Sequence, residues 1–329
     1  MKKHGFRYCP TCNNKLQKRG LTAAGSQRWY CSGCCVSSTK KRNDLTKKKL
    51  LQSFVSWLLG RKTLSEVCST YYANHQTISI RQWQRNTEWC WHVKIRPVLT
   101  GEVHEFVVLD GIRVGDMVCI IARSSRYVLN WHWVSHESSL GWRNLLDTLP
   151  TPAYVITDGQ KGMQLAIRSI WSSTIIQRCL FHVWLNIKSK LTLNPRSMAG
   201  IELLSLFRVI WDVKSMDKGS EWIERFQLLN LNHASFLKER TIAHSPQLGQ
   251  RKWWYTHGNV RSAYRQILKL IKDEQLFRYL EMKDMPRTTN HLEGGINAPI
   301  RQLLRLHKGL DFNRQEVLVN NYLYSRTES

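Results

Sequence analysis

The stretch VHEFVVLDGIRV, residues 103–114, contains a β-rich apolar run that stops at Asp110. Two further strand-like runs follow, DMVCIIAR (116–123) and YVLNWHWV (127–134). The gaps between the three runs are short and polar, which favours hairpin connections between neighbouring strands. We therefore predict that the three strands form an antiparallel meander.

Helices and strands alternate after the meander. SSLGWRNLLDTLP (138–150) has the pattern of a helix, and PAYVITDGQ (152–160) is a fourth strand that ends in Asp158. A helix, KGMQLAIRSI (161–170), then precedes a fifth strand that runs into a helix, STIIQRCLFH (173–182). This order of elements is that expected of an α/β (α+β) protein with a ribonuclease H-like fold and a mixed five-stranded sheet.

Two acids close strands that would be neighbours in this topology. The first and fourth strands lie side by side and parallel, so Asp110 and Asp158 would face each other at the edge where ligands bind. Carboxylates a few ångströms apart raise each other's pKa unless a cation joins them, and hard oxygen ligands favour Mg²⁺ or Mn²⁺. Glycine follows each acid, which permits a sharp turn and leaves room for a phosphate. Taken singly, each aspartate also fits a turn or cap residue.

A third carboxylate comes from the stretch TTNHLEGGINAPIRQLLR, residues 288–305, whose one acid is Glu293. Three carboxylates complete a site for two metal ions, which activate the attacking oxygen and stabilise the leaving oxygen of a phosphodiester. Pro299 lies in the helix expected to carry the glutamate. The helix therefore either bends just after Glu293 or starts near Ile296 and leaves Glu293 on a loop.

The chain is strongly basic, with a formal net charge of +25. Residues 1–62 hold 15 Lys and Arg side chains and one acid, Asp44, so more than half of the excess lies in the first fifth of the sequence. Nucleic acid is the partner that offsets such a charge, the alternative being a solvated surface. There is no apolar run of about 18 residues and no secretory signal, so we expect a cytosolic protein without a membrane partner.

Four cysteines near the start of the chain have the spacing of a zinc ribbon. CPTC supplies Cys9 and Cys12, and CSGC supplies Cys31 and Cys34. Two C-x2-C loops with 18 residues between them fit one tetrahedral structural Zn²⁺ bound by four thiolates. The alternatives are a disulfide pair or unconnected thiols, and Cys35 adjoins the second loop as a possible substitute for Cys34.

Three helix-like segments follow the cysteines: KLLQSFVSWLLG (49–60), TLSEVCSTYYANH (63–75) and TISIRQWQRNTEWCWH (77–92). The second opens with a capping box from Thr63 to Glu66, and Thr77 is a candidate N-cap for the third. We predict a helix-turn-helix module whose third helix contacts DNA, although small three-helix bundles also have other roles. The candidate DNA-contacting residues on this helix are Arg81, Gln82 and Arg85.

Four pieces between about residues 100 and 310 carry a resemblance to a known family. They are VVLDG, VITDGQKG, QRCLFHVWLNIK and TTNHLEGGIN. On these pieces the chain resembles the DDE transposases of bacterial insertion sequences, in the mutator-type superfamily, a subset of which has a zinc-ribbon head. The resemblance implies that Asp110, Asp158 and Glu293 are the catalytic triad and hold two Mg²⁺ or Mn²⁺ ions.

The resemblance also implies roles for residues outside the triad. Cys179 and His182, together with Arg178, would orient the site or contact the DNA backbone, the alternative being a buried thiol and a satisfied histidine. Residues 191–287 would form an all-helical insertion. Within it, RKWWYTHGNVR (251–261) mixes cations with aromatic rings that either stack on bases or fill a core. Further DNA contacts are expected from Lys252, Trp254, His257, Arg301 and Arg305.

Together these patterns predict a cytoplasmic, nucleoid-associated bacterial transposase. It would bind terminal inverted repeats and target DNA, cleave and transfer strands, and act as a homodimer or larger assembly. The alternatives are a DNA-binding regulator derived from a transposase and a structure-selective nuclease on the same fold. The expected domains are a zinc ribbon (1–42), a helix-turn-helix domain (43–98), the first part of the catalytic core (99–190), the insertion (191–287), and the final helix with the tail (288–329).

Overall fold

The computed structural model describes residues 8–9, 12, 14–23, 25–39, 43–70, 78–97, 99–244 and 251–327. The chain divides into two compact units. The first comprises residues 1–95 and 303–321, and the second comprises residues 96–302 and 322–329. Each unit has its own buried apolar residues, so each is described by itself below.

The first unit begins with a small antiparallel sheet in the order β1-β2-β3. Its strands are β1 (Gln17–Leu21), β2 (Gln27–Cys31) and β3 (Val36–Ser38). The buried residues beneath it are Cys9, Leu16 and Cys31, with Trp29 and Cys34 packed against them. Such a small apolar cluster cannot offset the entropy of ordering the segment, so this sheet needs a staple such as a metal.

Helices follow the sheet in the first unit: α1 (Asn43–Leu58), α2 (Leu64–Thr70) and α3 (Ile80–Thr87). The predicted capping box is confirmed, because Glu66 Oε2 accepts from the Thr63 N–H at 2.7 Å and Thr63 Oγ1 accepts from the Glu66 N–H at 3.3 Å. Ser79 caps α3, its Oγ accepting from the Gln82 N–H at 3.2 Å. The prediction made for residue 77 lies outside the described residues.

The second unit contains a five-stranded sheet in the order β6-β5-β4-β7-β8. Its strands are β4 (Phe106–Val114), β5 (Met117–Arg123), β6 (Val128–Val134), β7 (Tyr154–Thr157) and β8 (Ile175–Arg178). Strands β4, β5 and β6 pair antiparallel, whereas β7 is parallel to both β4 and β8. The predicted meander and the predicted mixed sheet are therefore both confirmed.

Strand β4 does not stop at Asp110 as predicted. It continues to Val114 and pairs Asp110 with Ile121 and Ile112 with Cys119 of β5. Its pairing with β7 is shorter and ends where Val108 meets Ile156. Because apolar residues resume after Gly111 and β5 offers a full partner, the strand extends, and Asp110 lies just beyond the parallel part of the ladder.

Helices α4 (Ser139–Leu146) and α5 (Lys161–Ile170) cover one face of this sheet. Their apolar stripes meet the residues of one strand face, as expected for amphipathic helices on a pleated sheet. The buried cluster includes Val107, Leu109, Ile120, Val155, Trp142 and Ile167. Helix α6 (Leu180–Leu191) begins two residues after β8, with Cys179 as its N-cap.

The insertion is not all-helical. Helices α7 (Met198–Arg208), α8 (Met216–Asn232), α9 (Ala234–Lys238) and α10 (Gly258–Lys272) share it with a two-stranded antiparallel ribbon, β9 (Arg240–Ile242) and β10 (Trp253–Tyr255). The aromatic run of β10 has the strand propensity that outweighed helix formation here. Trp222 is buried in the core of the insertion, and its indole N–H donates to the Leu206 carbonyl at 3.0 Å.

A change of helical winding marks the last part of the chain. Helix α11 (Asn290–Leu292) passes into a π-helical turn, Glu293–Asn297, and then into α12 (Ala298–Leu306), which is followed by α13 (Phe312–Tyr324). Pro299 lies in the first turn of α12, where a missing N–H is tolerated. Among the helices that the structure describes, none combines the length and apolarity needed to cross a membrane.

Candidate active site

Asp110 lies buried on β4, with 6% of its surface exposed. Its Oδ1 accepts from the Gly111 N–H at 2.9 Å, and its Oδ2 accepts from Asn297 Nδ2 at 3.1 Å. Burial raises the pKa of Asp110, the Gly111 N–H lowers it, and the negative charges of Asp158 and Glu293 help to raise it to about 7. The fold thus brings the three predicted acids close enough to interact electrostatically.

Asp158 occupies the turn that leaves β7. Its Oδ1 accepts from the Gln160 N–H at 2.8 Å, and its carbonyl accepts from Arg178 Nη2. Gly159, between Asp158 and Gln160, has a φ of +86°. A Cβ at this glycine would lie 1.7 Å from the Arg178 Cζ. The Arg178 guanidinium therefore lies against backbone that only glycine leaves bare.

Glu293 opens the π-helical turn, so it is helical and not on a loop. The Ala298 N–H donates to the Glu293 carbonyl, an i→i+5 bond typical of a π-turn. Pro299 cannot donate to the Gly295 carbonyl as an α-helix would require, and the Tyr322 hydroxyl donates to that carbonyl instead, at 3.1 Å. The π-helical turn after Glu293 thus leaves the Gly295 carbonyl with a hydrogen-bond donor despite Pro299.

Cys179 of the Cys-x-x-His motif forms hydrogen bonds both with the end of β7 and with the segment that precedes Glu293. Cys179 Sγ accepts from the Thr289 N–H at 3.2 Å, and the Cys179 N–H donates to the Thr157 carbonyl at 2.8 Å. Burial raises the pKa of Cys179, but hydrogen bonds with His182 and Thr289 lower it overall. Cys179 therefore connects the end of β7 to the segment that leads into Glu293, which favours the orienting role.

His182 completes the motif one helical turn later on α6. Its hydrogen bond with Cys179 raises its pKa, and after the opposing effect of burial the charges of Cys179, Asp110 and Asp158 bring it to about 9. A protonated imidazole near neutral pH thus faces the carboxylates and reduces their mutual repulsion.

Two residues that the sequence patterns did not single out belong to this neighbourhood. Asn297 is fully buried and lies four residues after Glu293, yet it hydrogen-bonds Asp110. Glu137 lies between β6 and α4, and the negative charge of Asp158 helps to raise its pKa, after the larger effect of burial. An amide following Glu293 at helical spacing was a usable signal for Asn297, whereas nothing in SHESS distinguished Glu137 from a loop glutamate.

The cysteine cluster in the first unit has the geometry of a metal site. The sulfurs of Cys9, Cys12, Cys31 and Cys34 all lie within 4.8 Å of one another. The Sγ–Sγ distance is 3.8 Å for Cys9–Cys34 and 3.3 Å for Cys12–Cys31, near the separation of about 3.8 Å that tetrahedral Zn–S bonds of about 2.3 Å require. Cys35 is exposed and stays outside the cluster. Within the described residues no other group of three or more Cys, His, Asp or Glu ligands is this compact.

The predicted DNA-contacting residues are divided between the two units. On α3, Arg81 and Arg85 are exposed, and Arg85 Nη2 donates to Gln82 Oε1 at 2.7 Å. Lys252, Arg301 and Arg305 are exposed as well. Arg301 also lies beside the candidate site, because its Nη1 is 3.8 Å from Glu293 Oε2.

The predicted DNA-contacting residues in and after strand β10 differ in how exposed they are. Trp254 is 47% exposed, and Trp253 carries the Arg240 guanidinium 4.0 Å from its ring centre. His257 is half-buried, stacked on Phe236 at 3.6 Å and with its Nε2 at 2.9 Å from Glu239 Oε2. Trp254 therefore offers an open ring surface, whereas the His257 ring is already in contact with neighbouring side chains.

Comparison with known proteins identifies the family to which the chain is similar. The Mutator family of transposases matches residues 62–238, just over half of the chain, a segment that includes Asp110 and Asp158 and ends before Glu293. The transposase for insertion sequence element IS905 of Lactococcus lactis subsp. lactis (strain IL1403) is 27% identical over 112 residues, which cover 32% of this chain and 28% of that protein. The transposase for insertion sequence element IS6120 of Mycolicibacterium smegmatis is 27% identical over 141 residues, 41% of this chain and 39% of that protein. The chain thus spans about a third of the length of these curated relatives.

Proposed function

We propose that this chain, which belongs to the Mutator family of transposases, is the DNA transposase of a bacterial insertion sequence. It binds the terminal inverted repeats of the element, cleaves the strands and joins them to target DNA. One observation carries this proposal: a buried aspartate, Asp110, has its pKa raised to about 7 by burial and by two acids that lie far away in the sequence, Asp158 and Glu293. Proteins keep such mutually repelling carboxylates mainly where a cation compensates for them.

The sheet supports a ribonuclease H-like assignment for the catalytic core. Three antiparallel strands are followed by two parallel ones, and β4 lies beside β7 in parallel. Asp110 follows the last pair of the parallel β4–β7 ladder and Asp158 follows the end of β7, which supports a shared ligand site at that edge of the sheet. Glu293 joins them from the helical segment that follows the insertion.

The donor set fits hard divalent cations. Asp110, Asp158 and Glu293 offer carboxylate oxygens, and the fully buried Asn297 Oδ1 has no hydrogen-bond partner among the described residues. When bound, two Mg²⁺ or Mn²⁺ ions would activate a water or a 3′-hydroxyl and stabilise the leaving oxygen of the phosphodiester. The chain's own contribution is positioning: Asn297 fixes Asp110, Arg178 fixes the Asp158 turn, and Cys179 fixes the approach to Glu293.

The first unit supplies the recognition of DNA in this proposal. One Zn²⁺ held by the four cysteines would fold the ribbon, and Arg81 and Arg85 on α3 would contact the inverted repeat. The net charge of +25 would neutralise phosphates and make binding depend steeply on salt. Because two ends must be brought together, the active form is a homodimer or larger assembly, and it works on the bacterial nucleoid in the cytoplasm.

The proposal is tested on a supercoiled plasmid that carries the gene with its native flanking DNA. Purified full-length protein is incubated with this plasmid and Mg²⁺ or Mn²⁺, and the strand ends are mapped. We expect cuts at the element's ends followed by joined products, and a loss of about 10³-fold or more in Asp158→Asn. Asp147→Asn is the matched control, because Asp147 is exposed at the end of α4 and should leave cleavage unchanged.

Three results would contradict the proposal in different ways. Equal inactivity of the wild type and Asp158→Asn, with DNA binding intact in both, would favour a DNA-binding regulator. Hydrolysed ends without any joined product would favour a structure-selective nuclease. Full activity of Asp158→Asn would remove the acid from the catalytic site.

A further inference from the structure

A fourth carboxylate lies beside the candidate site, on the loop between β6 and α4. A Cβ placed at Gly111 would lie 2.8 Å from Glu137 Oε1 and 3.1 Å from Glu137 Cδ. The carboxylate of Glu137 therefore rests against the strand backbone one residue after Asp110. Gly111 has an ordinary φ, so the absence of its side chain serves this close approach and not a turn.

Hydrogen bonds join the Glu137 backbone to the Asp158 turn. Gln160 Nε2 donates to the Glu137 carbonyl at 2.6 Å, while the Gln160 N–H donates to Asp158 Oδ1 at 2.8 Å. Gln160 Oε1 in turn accepts from the Met163 N–H at 2.7 Å, so the bridging side chain is fixed at both ends. Glu137 is thus held between the segments that carry the two aspartates.

The charge of Glu137 lacks a close partner. None of the ion pairs between described residues includes Glu137, although the residue is half-buried. Burial and the charge of Asp158 raise its pKa, and the Trp142 side chain and the more distant Arg113 lower it less. A half-buried, like-charged neighbour of Asp158 is costly unless something positive joins the group.

Capping of α4 does not explain the residue. Ser138 is the N-cap of α4, and its Oγ already accepts from the Gly141 N–H at 3.1 Å. A second observation indicates a ligand next to Asp110: Asn297 is fully buried, donates to Asp110, and has no partner for its Oδ1 among the residues that the structure describes. A bound water or cation beside Asp110 accounts for this unsatisfied buried oxygen.

We propose that Glu137 is the fourth carboxylate of this site and supplies an oxygen, directly or through a bound water, to the divalent cation on the Asp158 side. The inference rests on the proposed function, since it assigns one more ligand to the same metal site. It gives the site hard oxygen donors from the loop between β6 and α4, in addition to those from β4, the β7 turn and the π-turn. Such a donor set selects Mg²⁺ or Mn²⁺ over softer metals.

The test measures Mn²⁺ binding in the absence of DNA. Full-length, zinc-loaded protein is freed of other divalent ions without a chelator that would strip the ribbon, and free Mn²⁺ is followed by electron paramagnetic resonance. We expect Glu137→Gln to weaken the affected Mn²⁺ site by about 10-fold or more, as loss of a supporting ligand does. Asp158→Asn should weaken binding at least as much, and Asp147→Asn should bind like the wild type.

Thermal unfolding separates a ligand from a purely structural residue. Without Mn²⁺, Glu137→Gln should melt at or above the wild-type temperature because an uncompensated charge is removed, and Mn²⁺ should raise its melting temperature less. Wild-type Mn²⁺ affinity in Glu137→Gln, with weakened binding in Asp158→Asn, would overturn this inference alone. Unchanged binding in both variants would instead overturn the metal site of the proposed function. If Glu137→Gln does not fold, Glu137→Asp decides, since its shortened reach should weaken Mn²⁺ binding as well.

Discussion

The cysteine cluster and the carboxylate site are built in opposite ways. The four sulfurs come from two short loops of one small sheet and lie within 4.8 Å of one another. The acids come from a strand, a turn and a π-helical turn. A fully buried asparagine donates to the Asp110 carboxylate, a guanidinium donates to the Asp158 carbonyl, and a thiol accepts from the backbone four residues before Glu293. The first site is assembled by its ligands, whereas the second is assembled by the fold around it.

This difference determines what metal removal should do to each region. The ribbon has almost no apolar core of its own, so a bound zinc would supply its folding free energy. The carboxylate site stands on the buried core of a five-stranded sheet, so its ions would add to a structure that already exists. We expect the first region to unfold without metal and the second to remain folded but strained.

The largest expected effect tests the first half of this comparison. Cys31→Ser removes a fully buried ligand from the cluster, and with it most of a zinc-binding free energy of about 10 kcal/mol. We expect the zinc content, measured by inductively coupled plasma mass spectrometry, to fall to zero. Limited proteolysis should then cut the chain within residues 8–39. Circular dichroism should show that the helices and the large sheet persist.

The matched control for this change is Cys35→Ser. Cys35 is exposed and its thiol donates to the Ser32 carbonyl, outside the sulfur cluster. The variant should retain zinc and resist protease like the wild type. Zinc loss in Cys35→Ser with retention in Cys31→Ser would show that the sulfurs are paired differently from the structure.

The next effect concerns the Asp158 turn. Gly159→Ala forces a side chain into a positive φ of +86° and into the Arg178 guanidinium, and we expect a loss of about 3 kcal/mol in the free energy of unfolding. Gly294→Ala is the control, since no atom lies within 4 Å of the added carbon and the residue is helical. It should be neutral or stabilise by about 0.5 kcal/mol, because alanine favours helices. Urea unfolding of both variants measures the contrast, and equal effects would contradict it.

The same contrast explains what the sequence could predict. The cysteine spacing and the capping box at Thr63 depend on residues close together in the chain, whereas the five-strand order follows from the succession of strands and helices. All three agree with the structure. The three acids were predicted because strand order puts Asp110 near Asp158 and because Glu293 stands alone in a basic stretch, and the negative charges of Asp158 and Glu293 do act on Asp110 in the structure. For these features the local sequence pattern and the overall topology predict the same structure.

The features that were missed depend on tertiary packing. Strand β4 passes Asp110 because β5 pairs with it along its whole length, and the insertion contains a ribbon because β9 and β10 stabilise each other. Glu137 gained its position from a bare strand backbone at Gly111, and Asn297 from the π-turn. Apart from the helical spacing of Asn297 from Glu293, the spacing of neighbouring residues does not predict these contacts.

A smaller effect appears in the pH dependence of stability without divalent metal. The pKa of Asp110 is raised in the folded protein to about 7, so the folded state binds the extra proton and stability falls as pH rises. Between pH 5 and 6.5 we expect a loss of about 2 kcal/mol from this group, at about 1.4 kcal/mol per pH unit. Asp110→Asn should make the slope shallower by that amount in urea titrations.

His182 adds a contribution of the same sign in a higher window. Its pKa is raised to about 9, so its stabilisation is complete below pH 6.5 and is lost as pH rises toward 9. The loss in this window should therefore persist in Asp110→Asn and disappear in His182→Gln. A saturating concentration of Mg²⁺ should reduce the Asp110 part, and a wild-type slope in Asp110→Asn would refute the assignment.

The smallest expected effect on stability belongs to the exposed cation beside the acids. Arg301 Nη1 lies 3.8 Å from Glu293 Oε2 and both side chains are partly exposed, so Arg301→Ala should change the free energy of unfolding by less than about 0.5 kcal/mol. If Arg301 contacts a phosphate, the same variant should reduce the salt dependence of DNA binding by about one unit of slope. Lys308→Ala, an exposed cation beyond the end of α12, provides a comparison in the same binding titration. If the salt dependence of DNA binding is unchanged in Arg301→Ala, the arginine does not contact a phosphate. Its partner would then be Glu293 alone, and the proposed DNA contact at this residue would be wrong.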